Sequence, residues 1–264
     1  MIYVPDEILI YIFGFIRQSS PTAIVYDYIK NKFIEINNPI YEENKRKVMN
    51  HGMYLKYIPV EDQSDEICKL AVLKKGCALK FVENKYLTDE ICKLAVFQNV
   101  RALKFVKDKY LTDEICKMAV VKKSSALKFV KDKYLSEEIC NLAVKKDGCA
   151  LQFVKDSYLN EEICKLAVQQ NFNALYYVKD EYLNEEICKL AVQKKAYAIM
   201  FVKDKYLTDE ICKLAVKQDV CALEFIKNQT EEICKFAIEK HGRFALPFVK
   251  DKYLREKLYK FVVE

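Results

Sequence analysis

The stretch "LTDEICKLAV" at residues 87–96 recurs in near-copies down most of the chain, and this recurrence limits the possible folds more than any other feature. The cysteines of its "EIC" core are Cys68, Cys92, Cys116, Cys140, Cys164, Cys188, Cys212 and Cys234. They are spaced 24 residues apart six times and then 22, because "KDKYLTDEIC" contracts to "KNQTEEIC". The frame extends back to Asn44, where "EENKRKVMNHGMYLKYI" aligns with "EICKLAVLKKGCALKFV". At the far end Tyr259 takes the cysteine slot, after one extra residue near Arg243. A fixed period of this length is the signature of stacked repeats. The chain therefore reads as a degenerate first unit, eight regular units and a closing helix.

Each unit contains the signals of two short helices. Four residues before each cysteine stands Ser64, Thr88, Thr112, Ser136, Asn160, Asn184, Thr208 or Thr230. These residue types cap helix N-termini, because a side-chain oxygen accepts an otherwise unpaired backbone N–H. Two acids follow at once, where carboxylates complement the helix dipole. Ile, Cys, Leu and Ala then form an apolar stripe at helical spacing. A stop is expected about seven residues after the cysteine, at His51, Lys75, Asn99, Lys123, Asp147, Asn171, Lys195, Asp219 and His241. Asn, Asp and His there suggest left-handed backbone, and Gly52, Gly76, Gly148 and Gly242 follow as C-terminal stops. "ALKFVKDKY" reads as the second helix, with Ala102, Leu103, Phe105, Val106 and Tyr110 on one face. Helices this short cannot bury their apolar faces alone, whereas stacking on neighbouring units can. The expected fold class is an all-α solenoid over residues 41–264, preceded by a distinct helical segment at 1–40.

The repeated cysteines admit several chemistries. Zinc sites need clustered ligands, yet no C-x-x-C pair occurs, and His51 and His241 are the only histidines. Disulfides need Cα atoms within about 7 Å, closer than equivalent positions on stacked repeats. A reactive thiol needs exposure and a low pKa, whereas each of these sits beside Ile in an apolar stripe. A small buried hydrophobe that lets helices approach closely fits best.

Other motifs point the same way. The two histidines share one repeat position at a helix end, which favours a capping role. The "DE" and "EE" pairs open every regular first helix, so they answer the dipole and form no acid/base dyad. No Gly-rich phosphate loop, nucleophile elbow or histidine–carboxylate constellation is present, so no enzyme and no cofactor are expected. The tyrosines before the caps (Tyr86, Tyr110, Tyr134, Tyr158, Tyr182 and Tyr206) suit inter-repeat packing better than a stacking ladder for bases. The balance of 44 basic against 38 acidic residues weighs against a dedicated nucleic-acid binder. No secretory signal and no membrane-length apolar run is visible, which points to an intracellular protein of the cytoplasm or nucleus.

One row varies where the rest of the repeat barely does: Cys77, Arg101, Ser125, Cys149, Asn173, Tyr197 and Cys221. The position before it varies too: Gly76, Val100, Ser124, Gly148, Phe172, Ala196 and Val220. Arg101, Ser125, Phe172, Asn173 and Tyr197 are therefore candidates for partner binding, and a drifting solvent-facing row is the competing reading.

Four of the five prolines lie in the first sixty residues, so the N-terminal region is organised differently. Val4, Pro5, Glu7, Ile8, Leu9, Ile12, Phe13 and Ile16, followed by "YDYIKNKF", resemble an F-box over about forty residues. Val4 stands where that family usually has leucine, and its late tryptophan is missing. The resemblance implies docking onto a Skp-type adaptor of a cullin-RING ubiquitin ligase, with the array holding an unidentified target protein. The alternative is a helical cap on the first repeat. The array itself resembles short helical repeats of unknown function from large DNA viruses of amoebae and amoeba-associated bacteria. "NLAVKKDGCALQFV", starting at Asn141, carries that likeness, which would place the protein in an infected host cell.

Overall fold

The computed structural model describes residues 39–263, with side chains through Lys260. The F-box-like stretch from Val4 to Ile16 lies outside the described residues. The chain divides into two compact units, one ending at Tyr110 and one beginning at Leu111. The first contains α1 (Pro39–Asn50), α2 (Asp65–Lys74) and α3 (Asp89–Gln98). After these come 3-10 helices at Gly52–Tyr57, Gly76–Phe81 and Val100–Phe105. The second contains α4 (Asp113–Lys122), α5 (Glu137–Lys146), α6 (Glu161–Gln170), α7 (Glu185–Lys194), α8 (Asp209–Gln218), α9 (Glu231–His241) and α10 (Lys252–Val263). Its six- and seven-residue 3-10 helices, following α4 to α9 in turn, are Ser124–Phe129, Gly148–Phe153, Phe172–Tyr177, Ala196–Phe201, Val220–Phe225 and Gly242–Phe248. Within each unit every α-helix packs on the next α-helix, and every six- or seven-residue 3-10 helix on the next 3-10 helix. No strand occurs among the described residues. The fold class is the all-α solenoid that the repeat implies.

The first helix of each repeat forms for the expected reasons. All eight cap residues, from Ser64 to Thr230, accept the N–H three residues on, at 2.9–3.4 Å. Each such cap contributes about 1 kcal/mol. Ile, Cys, Ala and Val of each copy (Ile91, Cys92, Ala95 and Val96 in α3), with Ile238 for the valine in α9, are buried. Burying one such isoleucine stabilises by roughly 1.5–3 kcal/mol.

The second helix differs from the expectation. It is a six-residue 3-10 helix that ends at the aromatic residue, and the following valine is already extended (Val106, φ −67°, ψ 124°). A 3-10 helix has three residues per turn. Val100, Leu103 and Val106 therefore fall in one buried row, with Ala102 and Phe105 beside it. The pattern "x-x-A-L-x-F-V" satisfies this period as well as the α-helical one. "KDKY" is no continuation of the helix but a separate turn leading to the next cap.

The stop signals also act differently. Lys75, Asn99, Lys123, Asp147, Asn171, Lys195 and Asp219 have φ between −147° and −156°, so none is left-handed. Where Asn or Asp stands there, its oxygen accepts the N–H two residues on, at 2.9–3.1 Å, and caps the 3-10 helix. His51 and His241 make no side-chain cap bond. His241 instead bonds through Nε2 to the Val216 carbonyl of the preceding repeat at 2.7 Å. Gly76 and Gly148 serve close approach rather than backbone freedom. A Cβ there would lie 2.2 and 2.1 Å from the carbonyl oxygens of Ala95 and Ala167. Only Gly242, at φ 60°, is left-handed among the described residues.

Two ionic ladders align neighbouring repeats. In the first, the lysine after the cysteine bridges its own helix and the next. Lys117 reaches Asp113 at 2.9 Å and Glu138 at 2.7 Å, and Lys165 reaches Glu161 and Glu186 at 3.0 Å. Lys69 does the same with Asp65 and Glu90, and Lys45 begins the series on Glu66. The paired acids therefore divide their work between two repeats. Asn141 replaces the lysine in α5 and cannot make the bridge. In the second ladder, the lysine after each turn valine or isoleucine pairs with an aspartate one repeat earlier: Lys155 with Asp132, Lys179 with Asp156, Lys203 with Asp180, Lys227 with Asp204. Exposed pairs contribute little energy each; here they hold the register between repeats.

Where the regular leucine before the cap is missing, glutamine replaces it. Gln63 donates to the Phe81 carbonyl and accepts from the Glu83 N–H, while Gln229 does the same with Phe248 and Lys250. Each glutamine ties its loop to the backbone of the following repeat.

Candidate protein-interaction surface

The eight "EIC" cysteines carry no visible chemistry beyond packing. They are 0–2% exposed, and all eleven cysteines are free thiols. Burial pushes Cys68 up to about 12 and Cys92, Cys116, Cys140, Cys164, Cys188, Cys212 and Cys234 up to about 11. Such thiols are poor nucleophiles. No group of three or more His, Cys, Asp or Glu among the described residues is placed to hold a metal ion. No described helix is long and apolar enough to cross a membrane.

The surface feature that stands out is a column on the 3-10 helices. Their last aromatic residues are half-buried: Phe81 and Phe105 in the first unit, and Phe129, Phe153, Tyr177, Phe201, Phe225 and Phe248 in the second. The residue before each ring is exposed, and in several repeats it lies against the ring. Lys80 sits 4.5 Å above Phe81 and 5.9 Å above Phe105 of the next repeat. Lys128 bridges Phe129 and Phe153 in the same way, at 5.2 and 5.3 Å. Such cation–π contacts stabilise an exposed site by about 0.5–1 kcal/mol. In the second unit the column then changes character, running Lys128, Gln152, Tyr176, Met200 and Glu224.

Tyr176 occupies the lysine's place. Its ring meets Tyr177 edge-on at 5.3 Å and Phe201 of the next repeat at 5.9 Å. It nevertheless remains 70% exposed, and Met200 remains 53% exposed. Beside them lies a depression of about 780 Å³. Leu175, Val178, Leu183 and Val202 form its nearly buried floor, and Lys203, Asp204, Lys205 and Lys227 its rim. Exposed aromatic and thioether side chains over an apolar floor suit recognition of another apolar side chain.

The residues predicted from the varied row fall around this ladder. Arg101 is exposed in the first unit; the other four belong to the second. Ser125 and Phe172 are half-buried and Asn173 is exposed. Tyr197 packs edge-on against Phe225 at 5.8 Å, and its hydroxyl is raised above the ordinary range chiefly by the Asp219 carboxylate. The row before it is mostly packed between repeats: Gly76, Val100, Ser124, Gly148 and Ala196 are buried. The tyrosines before the caps are half-buried, and the Tyr158 and Tyr206 hydroxyls donate to the carbonyls of Leu135 and Leu183 one repeat earlier, at 2.8 and 2.5 Å. Sequence reading passed over Tyr176 and Met200. Their signal was present: the column that reads lysine at 80, 104 and 128 does not do so at 176 and 200.

Each regular repeat is thus a cap, an α-helix, an Asx or lysine turn and a 3-10 helix. A family model described as a domain of unknown function (DUF4116) matches residues 136–183 and 184–230. Both matched segments begin at a cap residue, Ser136 and Asn184, and each spans two repeats of the second unit. The DUF4116-like segments contain both Tyr176 and Met200. No curated protein and no solved structure matches the chain.

Proposed function

We propose that this protein is a non-enzymatic scaffold that captures a partner protein on the surface around Tyr176 and Met200. The supporting observation is the exposed Tyr176–Met200 pair, which stands where the repeats of Lys80, Lys104 and Lys128 carry lysine and lies beside a depression with an apolar floor and a charged rim. Nucleic acid is the weaker alternative. The lysines nearest the rings lie over the faces that bases would need, and those of both ladders already hold carboxylates. In the finer form of the proposal, the F-box-like Val4–Ile16 stretch docks a Skp-type adaptor, and the array holds the protein to be ubiquitinated inside the cell.

Both parts can be tested. A displayed random-peptide library is selected against the full chain and counter-screened with Tyr176→Lys/Met200→Lys. This double variant only restores the residue that sister repeats carry. Enriched peptides should bind the wild type and lose at least tenfold on the variant; equal binding to both removes the surface. For the adaptor, co-expression with a Skp-type protein should give a complex that Leu9→Asp disrupts. No complex, or one indifferent to Leu9→Asp, removes that part and leaves the repeat surface standing.

A further inference from the structure

We infer that the segment recognised at the Tyr176–Met200 depression is an acidic peptide with one large apolar anchor. This rests on the protein-binding reading and names the chemistry of its partner. The floor of Leu175, Val178, Leu183 and Val202, walled by Tyr176, Met200 and Phe201, offers an apolar side chain contacts that water cannot replace. A volume of about 780 Å³ is ample for one such anchor with its flanking backbone.

The rim sets the charge. Three lysines, Lys203, Lys205 and Lys227, line the depression against a single carboxylate, Asp204. Lys227 bonds both Asp204 oxygens at 3.0 Å, and Lys203 is held by Asp180 outside the depression. Lys205 is different. Its ammonium lies 4.7 Å from the Tyr206 ring centre, makes no direct ion pair among the described residues, and acts on Asp180 only at longer range, helping to lower that carboxyl. An ammonium with no direct ion pair, at the lip of an apolar floor, attracts a carboxylate more strongly than one in open water, because the low-dielectric floor reduces screening. A basic segment would be repelled by Lys205 and would find Asp204 and Asp180 already paired with Lys227 and Lys203. The occupant that satisfies floor and rim together carries an apolar side chain with Asp or Glu beside it. A second copy of this chain is the competing occupant.

The test uses three short fluorescein-labelled peptides with the same central Phe-Leu pair, flanked by Glu, by Gln or by Lys. Anisotropy titrations on the full chain should show the Glu peptide binding roughly tenfold tighter than the Gln peptide and the Lys peptide weakest. Lys205→Glu should remove the preference for Glu. Tyr176→Lys/Met200→Lys should weaken the Glu peptide despite adding positive charge. Tighter binding in that variant would reveal bulk attraction without an anchor and overturn the inference. Equal binding of the Glu and Gln peptides, lost in the double variant, overturns the acidic preference but keeps the protein-binding surface. No binding of any peptide overturns both. Concentration-dependent dimerisation abolished by the double variant assigns the patch to a second copy and likewise overturns the inference.

Discussion

Alkaline pH should unfold the second unit largely through its buried cysteines. Cys116, Cys140, Cys164, Cys188, Cys212 and Cys234 are 0–2% exposed, and burial raises each from the ordinary 9.0 to about 11. The sign follows from proton binding. Below pH 9 both states keep the thiol proton and stability is unaffected. Between pH 9 and 11 the unfolded chain releases protons that the folded chain retains, so stability falls as pH rises. Each cysteine contributes about 1.4 kcal/mol per pH unit within that window. At pH 10 the six together remove about 8 kcal/mol, comparable to the whole stability of a typical domain, about 5–15 kcal/mol. Lysines and tyrosines titrate nearby, so the decisive comparison is with Cys164→Ala. That variant leaves a small cavity, a fixed loss that does not bend the pH profile. Urea unfolding between pH 9 and 10.5 should give a stability slope shallower by about 1 kcal/mol per pH unit in Cys164→Ala, and no difference in slope well below pH 9. Identical slopes would refute the reasoning, because the thiol would then titrate alike in both states.

Three further outcomes follow from particular contacts. In the folded protein a thiol reagent should label the half-buried Cys77, Cys149 and Cys221 first, and the eight "EIC" cysteines only at the rate of unfolding; prompt labelling of all eleven contradicts the packing. Asn44 holds the cysteine slot of the first repeat at 8% exposure, and its Nδ2 has no hydrogen-bond partner among the described residues. Asn44→Cys should therefore stabilise the chain by about 1–3 kcal/mol in urea unfolding, and a loss would show that the amide is paired. Gly148→Ala places a Cβ 2.1 Å from the Ala167 oxygen and should destabilise by about 1–3 kcal/mol. An unchanged midpoint would show that the two repeats separate freely.

Much of the repeat was legible because its signals are local and repeated. Thr88 capping Ile91, and Ile91 with Cys92 facing the core, depend on neighbours within one helix and could be read from a single copy. The second helix was misassigned because six residues do not separate a period of 3.0 from 3.6: Ala102, Leu103, Phe105 and Val106 fit both. Asn99 and Asp147 were singled out as unusual backbone, when their role is to cap the next element from extended backbone. The ladders were half visible. The acids at 137–138 and 185–186 announced a helix start, but the second carboxylate's partner sits one repeat away, Lys117 for Glu138 and Lys165 for Glu186, and emerges only from stacking. Tyr176 and Met200 were less legible because the most variable rows lie on the loop side of the 3-10 helix, where variation reflects packing between repeats at Gly76, Val100, Ser124, Gly148 and Ala196. The informative departures lie at its other end, where the array exposes one residue per repeat.

The account separates scaffold from surface, and Tyr176→Lys/Met200→Lys tests that separation most directly. Its free energy of unfolding and its affinity for a selected peptide should be measured on the same preparation. Stability should stay within about 0.5 kcal/mol of the wild type, because Lys128 already shows how lysine rides on this aromatic ladder. Affinity should fall at least tenfold. A large loss of stability would place the pair in the core, and retained affinity would place the binding surface elsewhere; either result contradicts the account.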